Sequence, residues 1–160
     1  MNSRIFSFKT MWHIPHDLET VWDYVGMVAH YPQWWPGMKH VEILHGHELP
    51  VTVGNAFKFT VASPLYQLCY TTTVTDCDLG KMIVARSEGD LAGTGTWKFQ
   101  EHAGETQAAF IWEVQLTPPV LAAASYIPRV RSVMHFFHDR LMNAGEQGLR
   151  QLLQQTAGLK

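Results

Sequence analysis

The sequence has few charged residues, few cysteines and no long apolar run, and each scarcity excludes a class of protein. Twelve Lys and Arg stand against 14 Asp and Glu, for a formal net charge of −2, and no basic run occurs. Binding along a nucleic-acid backbone needs clustered cations, so we expect no nucleic-acid partner. Two cysteines, Cys69 and Cys77, are too few for a disulfide framework, which favours a reducing cytoplasm. No apolar stretch is long enough to span a bilayer, and residues 1–11 lack the apolar segment of a secretory signal.

What the sequence does have is apolar and aromatic residues. Hydrophobic residues make up 46% of the 160 residues and aromatic residues 12%, with six tryptophans. A chain of this length buries a substantial core without disulfides or metals, so we predict one domain over residues 1–160. Aromatic side chains at this density are typical of a dense core, an interface or a lined cavity.

The first residues predict a strand followed by a helix. Phe6, Phe8 and Trp12 share one parity of an alternating segment, as expected for a strand with one buried face. Pro15 then ends the strand. Apolar residues in 18–25 recur at helical spacing, which predicts an amphipathic helix.

A pair of adjacent tryptophans follows that helix. Residues 30–37 place a proline on each side of Trp34 and Trp35, which predicts a compact turn or a short second helix. The pair packs in the core under one interpretation. Under the other it lies at a cavity mouth or on an exposed docking surface, because connecting segments often carry function.

The middle of the chain predicts an antiparallel meander of about six strands. Short alternating segments run from residue 41 to residue 116 and are separated by turn residues, one turn being expected at Pro64 before a strand that begins at Tyr66. No helical segment lies between them, which favours antiparallel pairing. Gly93 and Gly95 alternate within one strand and indicate curvature or close backbone approach.

The last segment, residues 128–153, predicts the one long helix. Its apolar residues lie close to one stripe, which should pack across the sheet. The side chains on this stripe become small toward the C-terminal half, where Ala144, Gly145 and Gly148 occur. Small residues let another element approach closely or leave space.

Four segments are distinctive in sequence: VWDYV at 21–25, YPQWWPG at 31–37, GDLAGTGTW at 89–97 and MNAGEQGL at 142–149. Together with the order of elements, they resemble the START-related helix-grip (SRPBCC) superfamily, in the branch called polyketide cyclase/dehydrase and lipid transport. The resemblance implies an α+β helix-grip fold. In it a curved antiparallel sheet wraps a long C-terminal helix, two short helices follow the first strand, and an apolar cavity lies between sheet and helix.

The resemblance also implies a hydrophobic small-molecule ligand of lipid, polyketide, aromatic or quinone type. We expect no cofactor and no metal, because the pairs His45-x-His47 and His135-x-x-His138 lack a third ligand at a known spacing. From strand parity and the helix stripe, the predicted ligand-binding residues are Trp35, Phe59, Tyr70, Arg86, Glu88, Trp97, Trp112, Met134, His138 and Met142.

Some members of the superfamily are cyclases or dehydratases, and three polar residues are candidates for such catalysis. Arg86 and Glu88 share a parity with Met82 and Val84; on the inner face, Arg86 would orient an oxygen and Glu88 would exchange a proton. Alternatively, this strand end emerges into solvent, where a pair of charges contributes about 0–1 kcal/mol. His138 is either an edge histidine or a cavity group that handles a proton.

Three functions therefore remain open at this stage. The first is a binder or carrier of a hydrophobic molecule, which needs a cavity and a few polar groups. The second is a cyclase or dehydratase that uses Arg86, Glu88 and His138. The third is a protein-interaction module that uses an exposed Trp34–Trp35 surface.

Overall fold

The computed structural model describes residues 5–63 and 67–159. Its seven described strands form one antiparallel sheet in the order β1-β7-β6-β5-β4-β3-β2. The turn predicted at Pro64 and the strand start predicted at Tyr66 lie outside the described residues. The strands are β1 (Phe6–Ile14), β2 (Met38–His45), β3 (Ala56–Val61), β4 (Leu68–Asp78), β5 (Met82–Gly89), β6 (Leu91–His102) and β7 (Glu105–Leu116).

The helices of the described residues lie after the first strand and after the last one. Two short helices follow β1 and flank a 3-10 turn at Val28–His30, and the long helix ends the chain, so the predicted α+β helix-grip fold is confirmed. A short helix before the long one was not predicted, although the adjacent Pro118 and Pro119 suit the first turn of a helix. The helices are α1 (Leu18–Gly26), α2 (Tyr31–Trp34), α3 (Pro119–Ala124) and α4 (Pro128–Ala157).

Helix α1 begins where the sequence supplies a cap. The Asp17 carboxylate accepts a hydrogen bond of 2.9 Å from the Thr20 amide, which satisfies one of the free N–H groups of the first turn. The Thr20 amide and hydroxyl also hold the pKa of Asp17 below its usual value. The buried residues of α1 include Val21, Trp22 and Val25, as the predicted spacing requires.

The two alternating glycines of β6 lie where neighbouring chain comes very close. A Cβ atom at Gly93 would overlap the carbonyl oxygen of Glu113 on β7. A Cβ atom at Gly95 would lie 3.1 Å from the Phe110 ring. The close approach predicted at these glycines is therefore confirmed, and it brings β7 and its aromatic residues tightly against β6.

The first strand forms one edge of the sheet and pairs with the last strand. Residues Phe6 through Ile14 of β1 pair with Val114 through Thr106 of β7. Helix α4 is fastened to the end of β1 as well. The His13 amide donates to Glu146 Oε1 at 2.8 Å, and Arg150 Nε donates to the His13 carbonyl at 2.8 Å.

The buried face of α4 lies about one residue away from the predicted stripe. The prediction followed the large apolar residues, including Phe137 and Leu141, which are only half-buried. A pattern of apolar side chains gives no weight to a histidine, and His138 belongs to the buried face. The buried residues of α4 are His138, Met142, Gly145, Leu149 and Leu153.

Candidate functional site

A cavity of about 120 Å³ lies between the inner face of the sheet and α4. Its wall is almost entirely apolar, with aliphatic side chains from α1, α4 and the strands. The loop between β2 and β3 adds Val51 to the wall. The aromatic lining residues are Tyr31, Trp35, Phe57, Phe59, Tyr70, Trp97, Phe110 and Trp112.

A second, smaller cavity of about 60 Å³ lies beside the first, toward the N-terminal half of α4. It is lined by residues of β1, β3, β4, β6, β7 and α4, among them Phe8, Leu68, Met134 and Phe137. Four residues line both cavities and so form the partition between them: Tyr70, Trp112, His138 and Leu141.

Ring contacts make the aromatic wall continuous. Trp97 lies 4.7 Å from Phe110 between ring centroids, and Phe110 lies 6.1 Å from Trp112. On the neighbouring strands, Phe59 and Tyr70 stack at 5.2 Å. Contacts at these separations add to the stabilisation that burial provides, so this wall is a well-packed surface.

The Trp34–Trp35 pair is buried beneath α4. Only 7% of Trp34 and 3% of Trp35 is exposed. The Trp35 indole N–H donates to the Leu141 carbonyl at 2.8 Å, and the Trp35 ring packs where Gly145 has no side chain. The hypothesis of an exposed docking surface is therefore wrong, because Gly145 and Gly148 of α4 leave space in which the pair packs into the core. Trp35 also lines the larger cavity, whereas Trp34 does not.

His138 is the polar side chain at the centre of the site. Only 6% of the residue is exposed, and its ring stacks on Phe8 at 4.1 Å. Within the described residues, neither Nδ1 nor Nε2 has a hydrogen-bond partner. The Asp139 carboxylate, which is mostly exposed, lies 3.7 Å from Nδ1, beyond hydrogen-bond distance.

Burial controls the charge of His138. It lowers the pKa of the imidazole to about 4, against a smaller opposing effect of the Asp139 carboxylate. The ring is therefore neutral at pH 7, with one N–H donor and one nitrogen acceptor. Both groups can meet a ligand, since no side chain or backbone group of the described residues hydrogen-bonds to them.

Two tyrosines add hydroxyl groups to the cavity wall. Burial raises the pKa of Tyr31 and of Tyr70, so both phenols stay protonated. The Tyr31 hydroxyl donates to the Val25 carbonyl at 2.5 Å, which uses its proton. The wall also contains Thr72 and Ser87, which sequence reasoning did not identify.

Arg86 and Glu88 lie outside the cavity, on the outer face of β5, which corrects the prediction that they belong to the site. Their side chains are 70% and 72% exposed, and Arg86 Nε lies 3.6 Å from Glu88 Oε1. The inward residues of β5 are instead Ile83, Ala85 and Ser87. The error arose because residues 82–85 are all apolar and carry no alternation.

Pairing the strands would have revealed the correct parity. Residues that face each other in a sheet lie on the same side, and Ile83 faces Trp97. Trp97 was correctly expected on the inner face, so Ile83 had to lie there too. The lining residues of the 3-10 turn and of the loop between β2 and β3, Val28 and Val51, had no comparable signal in the sequence.

Most of the predicted ligand-binding residues lie in the wall of one cavity or the other. Met134 lines the smaller cavity, and Arg86 and Glu88 line neither. Those that line the larger cavity are Trp35, Phe59, Tyr70, Trp97, Trp112, His138 and Met142.

The described residues contain neither a cluster of metal ligands nor a membrane-spanning helix. Across residues 5–63 and 67–159, no three His, Cys, Asp or Glu side chains are grouped so that they could hold a metal ion. In the same part of the chain, no helix has the length and apolar character needed to cross a membrane.

Comparison with known proteins adds a family. The model of the family described as polyketide cyclase / dehydrase and lipid transport matches residues 14–128. A search of curated protein sequences finds no significant match.

Solved structures share the fold at low sequence identity. The Zhui aromatase/cyclase from Streptomyces sp. R1128 superposes with a TM-score of 0.77 at 15% identity, over 96% of each chain. A START superfamily protein from Mycobacterium smegmatis gives 0.72 at 19% identity, over 91% of this chain and 98% of the other. The di-domain ARO/CYC StfQ of the steffimycin biosynthetic pathway gives 0.74 at 15% identity, over 98% of this chain and 53% of that one.

Proposed function

Because the chain belongs to the polyketide cyclase / dehydrase and lipid transport family, we propose that it binds a hydrophobic, largely aromatic small molecule in the larger cavity. One observation carries this proposal: an apolar cavity with a neutral histidine in its wall whose ring nitrogens have no hydrogen-bond partner in residues 5–63 and 67–159. Apolar walls supply affinity, and a few polar groups orient the ligand. Aromatic rings stack well on the rings of Trp97, Phe110 and Trp112.

The first test is native mass spectrometry of the purified protein, followed by denaturation and identification of any released molecule. We expect a bound molecule that is mostly apolar and contains at least one oxygen. The proposal would be contradicted if the purified protein releases no small molecule and also binds no aromatic compound in titrations.

A matched pair of variants ties uptake to the cavity. Ala85 points into the cavity and Arg86 points away from it on the same strand. Ala85→Leu should fill part of the cavity and lower ligand uptake at least tenfold, whereas Arg86→Leu should leave it unchanged. Equal effects of the two substitutions would show that binding occurs elsewhere.

A second function, of the cyclase or dehydratase type, is favoured by His138 alone. A neutral imidazole with an unpartnered nitrogen in an apolar cavity can accept a proton from a carbon that lies between two carbonyl groups. The resulting enolate attacks a carbonyl carbon in an aldol-type ring closure, and the protonated ring returns its proton to the alkoxide that forms. In the loss of water, the imidazole takes the second proton of the same carbon and passes it to the departing hydroxyl. Arg86 and Glu88 take no part in this chemistry.

Proton abstraction is measured with the diketone benzoylacetone in deuterated water. The protein should accelerate deuterium exchange at the carbon between the carbonyls, and His138→Phe should reduce the exchange rate to that of buffer. Equal exchange rates with the protein and with buffer would leave binding as the function.

A further inference from the structure

We propose that the ligand has two apolar limbs of unequal size, joined at a carbon atom that carries a hydroxyl or carbonyl oxygen. An aromatic ring occupies the larger cavity, a short alkyl limb occupies the smaller one, and the oxygen lies beside His138. This inference rests on the proposed function and specifies the class of molecule that the site accepts.

The sizes of the two cavities set the sizes of the limbs. An apolar cavity of roughly 150 Å³ accommodates benzene. The larger cavity, at about 120 Å³, is close to that size and suits a single ring with slight adjustment. The smaller one, at about 60 Å³, is too small for a ring and suits a limb of two or three carbons.

The partition between the cavities is thin. It consists of single side chains that face both spaces, and Leu141 is the aliphatic one among them. Leu141 is half-buried and belongs to the partly buried residues packed against the core. Leu141 is also the partition residue with a flexible aliphatic side chain and no ring, so the inference requires that a change in its rotamer connect the two cavities.

The polar group of the partition fixes where the oxygen lies. The His138 side chain is 5% exposed and lines both cavities. Its donor and its acceptor lack partners within the described residues. A carbonyl oxygen at the junction accepts from the imidazole N–H, and a hydroxyl can also donate to the other nitrogen if it reaches it.

The experiment uses alkyl phenyl ketones of increasing chain length, from acetophenone to heptanophenone, with affinities measured by calorimetric titration. Each added carbon should raise the affinity about fourfold up to butyrophenone, because each buries one more methylene group. The gain should then stop, because the smaller cavity is full. An affinity that does not change with chain length, or that rises steadily through heptanophenone, would overturn the inference.

Two alanine-to-leucine substitutions separate the limbs. Ala62 lines only the smaller cavity and Ala85 only the larger one. Ala62→Leu should abolish the gain from acetophenone to butyrophenone. Ala85→Leu should weaken every ketone, acetophenone included, and preserve the gain. If Ala62→Leu leaves the gain intact, the alkyl limb does not enter the smaller cavity and the inference fails.

The position of the oxygen is tested with His138→Phe, which keeps the ring contact with Phe8. Butyrophenone should lose at least tenfold in affinity, whereas butylbenzene, which has a similar shape but no oxygen, should not weaken. Equal losses for the two compounds would overturn the assignment of the oxygen to His138.

The failure of this inference differs from the failure of the proposed function. If the purified protein releases a bound aromatic molecule but no ketone shows the chain-length limit, the two-limb inference is wrong and the binding function stands. If no molecule is released and no ketone binds, both are wrong.

Discussion

His138 connects the chemistry of the site to the stability of the protein. The same burial that keeps its ring neutral leaves its two nitrogens without hydrogen-bond partners in the part of the chain that the structure describes. An unsatisfied buried polar group destabilises a fold by about 1–3 kcal/mol. We therefore expect a ligand whose oxygen hydrogen-bonds to His138 to stabilise the protein.

The stability of the protein should depend on pH through His138. The pKa of this ring is about 4 in the folded protein, against 6.5 for an unperturbed histidine. Between these values the unfolded chain takes up a proton that the folded protein does not, so stability falls as the pH decreases from 6.5 to 4. From pH 7 to pH 5, the loss due to His138 should be about 2 kcal/mol.

The measurement is urea unfolding at pH 7 and pH 5 for the wild type, His138→Phe and His45→Phe. His45 is exposed, so its variant should retain the pH dependence of the wild type, whereas His138→Phe should lose about 2 kcal/mol of it. If all three proteins weaken equally, the folded protein binds a proton at His138 near the ordinary pKa.

Removing either charge of the Arg86–Glu88 pair should have little effect. Both side chains are largely in solvent, and an exposed ion pair contributes about 0–1 kcal/mol. Arg86→Ala and Glu88→Ala should therefore bind butyrophenone as tightly as the wild type in calorimetric titration. A tenfold weakening by either substitution would mean that the outer face of β5 takes part in binding.

The sequence located a site residue correctly where the pattern of apolar and polar residues in its strand or helix identifies the buried face. Phe59, Tyr70 and Trp112 lie in strands where large apolar residues alternate with polar ones, so their parity was correct. In β5 the alternation is lost, and the one polar residue that faces inward, Ser87, is buried while its neighbour Arg86 is not. The sequence of β5 alone cannot show which of its residues face the cavity. The residues with which it pairs in β6 do show it.

At the scale of elements, the contact between α2 and α4 organises the wall of the larger cavity. Trp34 is the last residue of α2 and Trp35 directly follows it, and the glycines at 145 and 148 leave α4 without side chains at the point of contact. The Leu141 carbonyl accepts the Trp35 indole N–H at 2.8 Å. Trp35 is thereby held in place as part of the cavity wall.

Gly148→Ala should destabilise the protein, although alanine favours helices. A Cβ atom at this position would overlap the backbone carbonyl oxygen of Trp34. Because this oxygen belongs to the backbone, it cannot move aside as the end of a flexible side chain can. We expect a net loss of about 1–3 kcal/mol, since overpacking outweighs the gain in helix propensity. Thermal or urea unfolding measures this loss.

The control for that substitution is Gln147→Ala, one residue earlier on the exposed side of α4. It should change stability by less than about 0.5 kcal/mol, as surface substitutions usually do. If Gly148→Ala is as stable as this control, the contact between α2 and α4 is looser than the structure indicates.

The elements themselves were predicted where periodicity was strong. Strand β1, helix α1 and the series of strands follow their apolar patterns, and Gly145 and Gly148 correctly indicated a close contact. The rotation of α4 about its axis could not be read from apolar residues alone. It is set by glycines that pack against tryptophans distant in sequence, and by a histidine that stacks on β1.

At the scale of the whole molecule, α4 and β1 hold the two ends of the described chain together. Glu146 and Arg150 bind the amide and the carbonyl of His13. Arg150→Ala should lower the free energy of unfolding by about 1 kcal/mol, because the His13 carbonyl loses a charged donor.

Arg140→Ala is the control for this prediction, since Arg140 is exposed on the same helix. Urea unfolding of the two variants should show a loss for Arg150→Ala and a change within about 0.5 kcal/mol for Arg140→Ala. Equal stabilities would mean that packing alone fastens α4 to the sheet.

The pairing of β1 with β7 also has a consequence for the synthesis of the protein. A ribosome completes Ile14 long before Thr106, its partner in the sheet, and at 5–20 residues per second the interval is on the order of ten seconds. Throughout that time Phe6, Phe8 and Trp12 have no strand to cover them. The nascent chain therefore carries an unpaired apolar strand until nearly all of the sheet has been made, and unpaired strands of this kind are prone to aggregate.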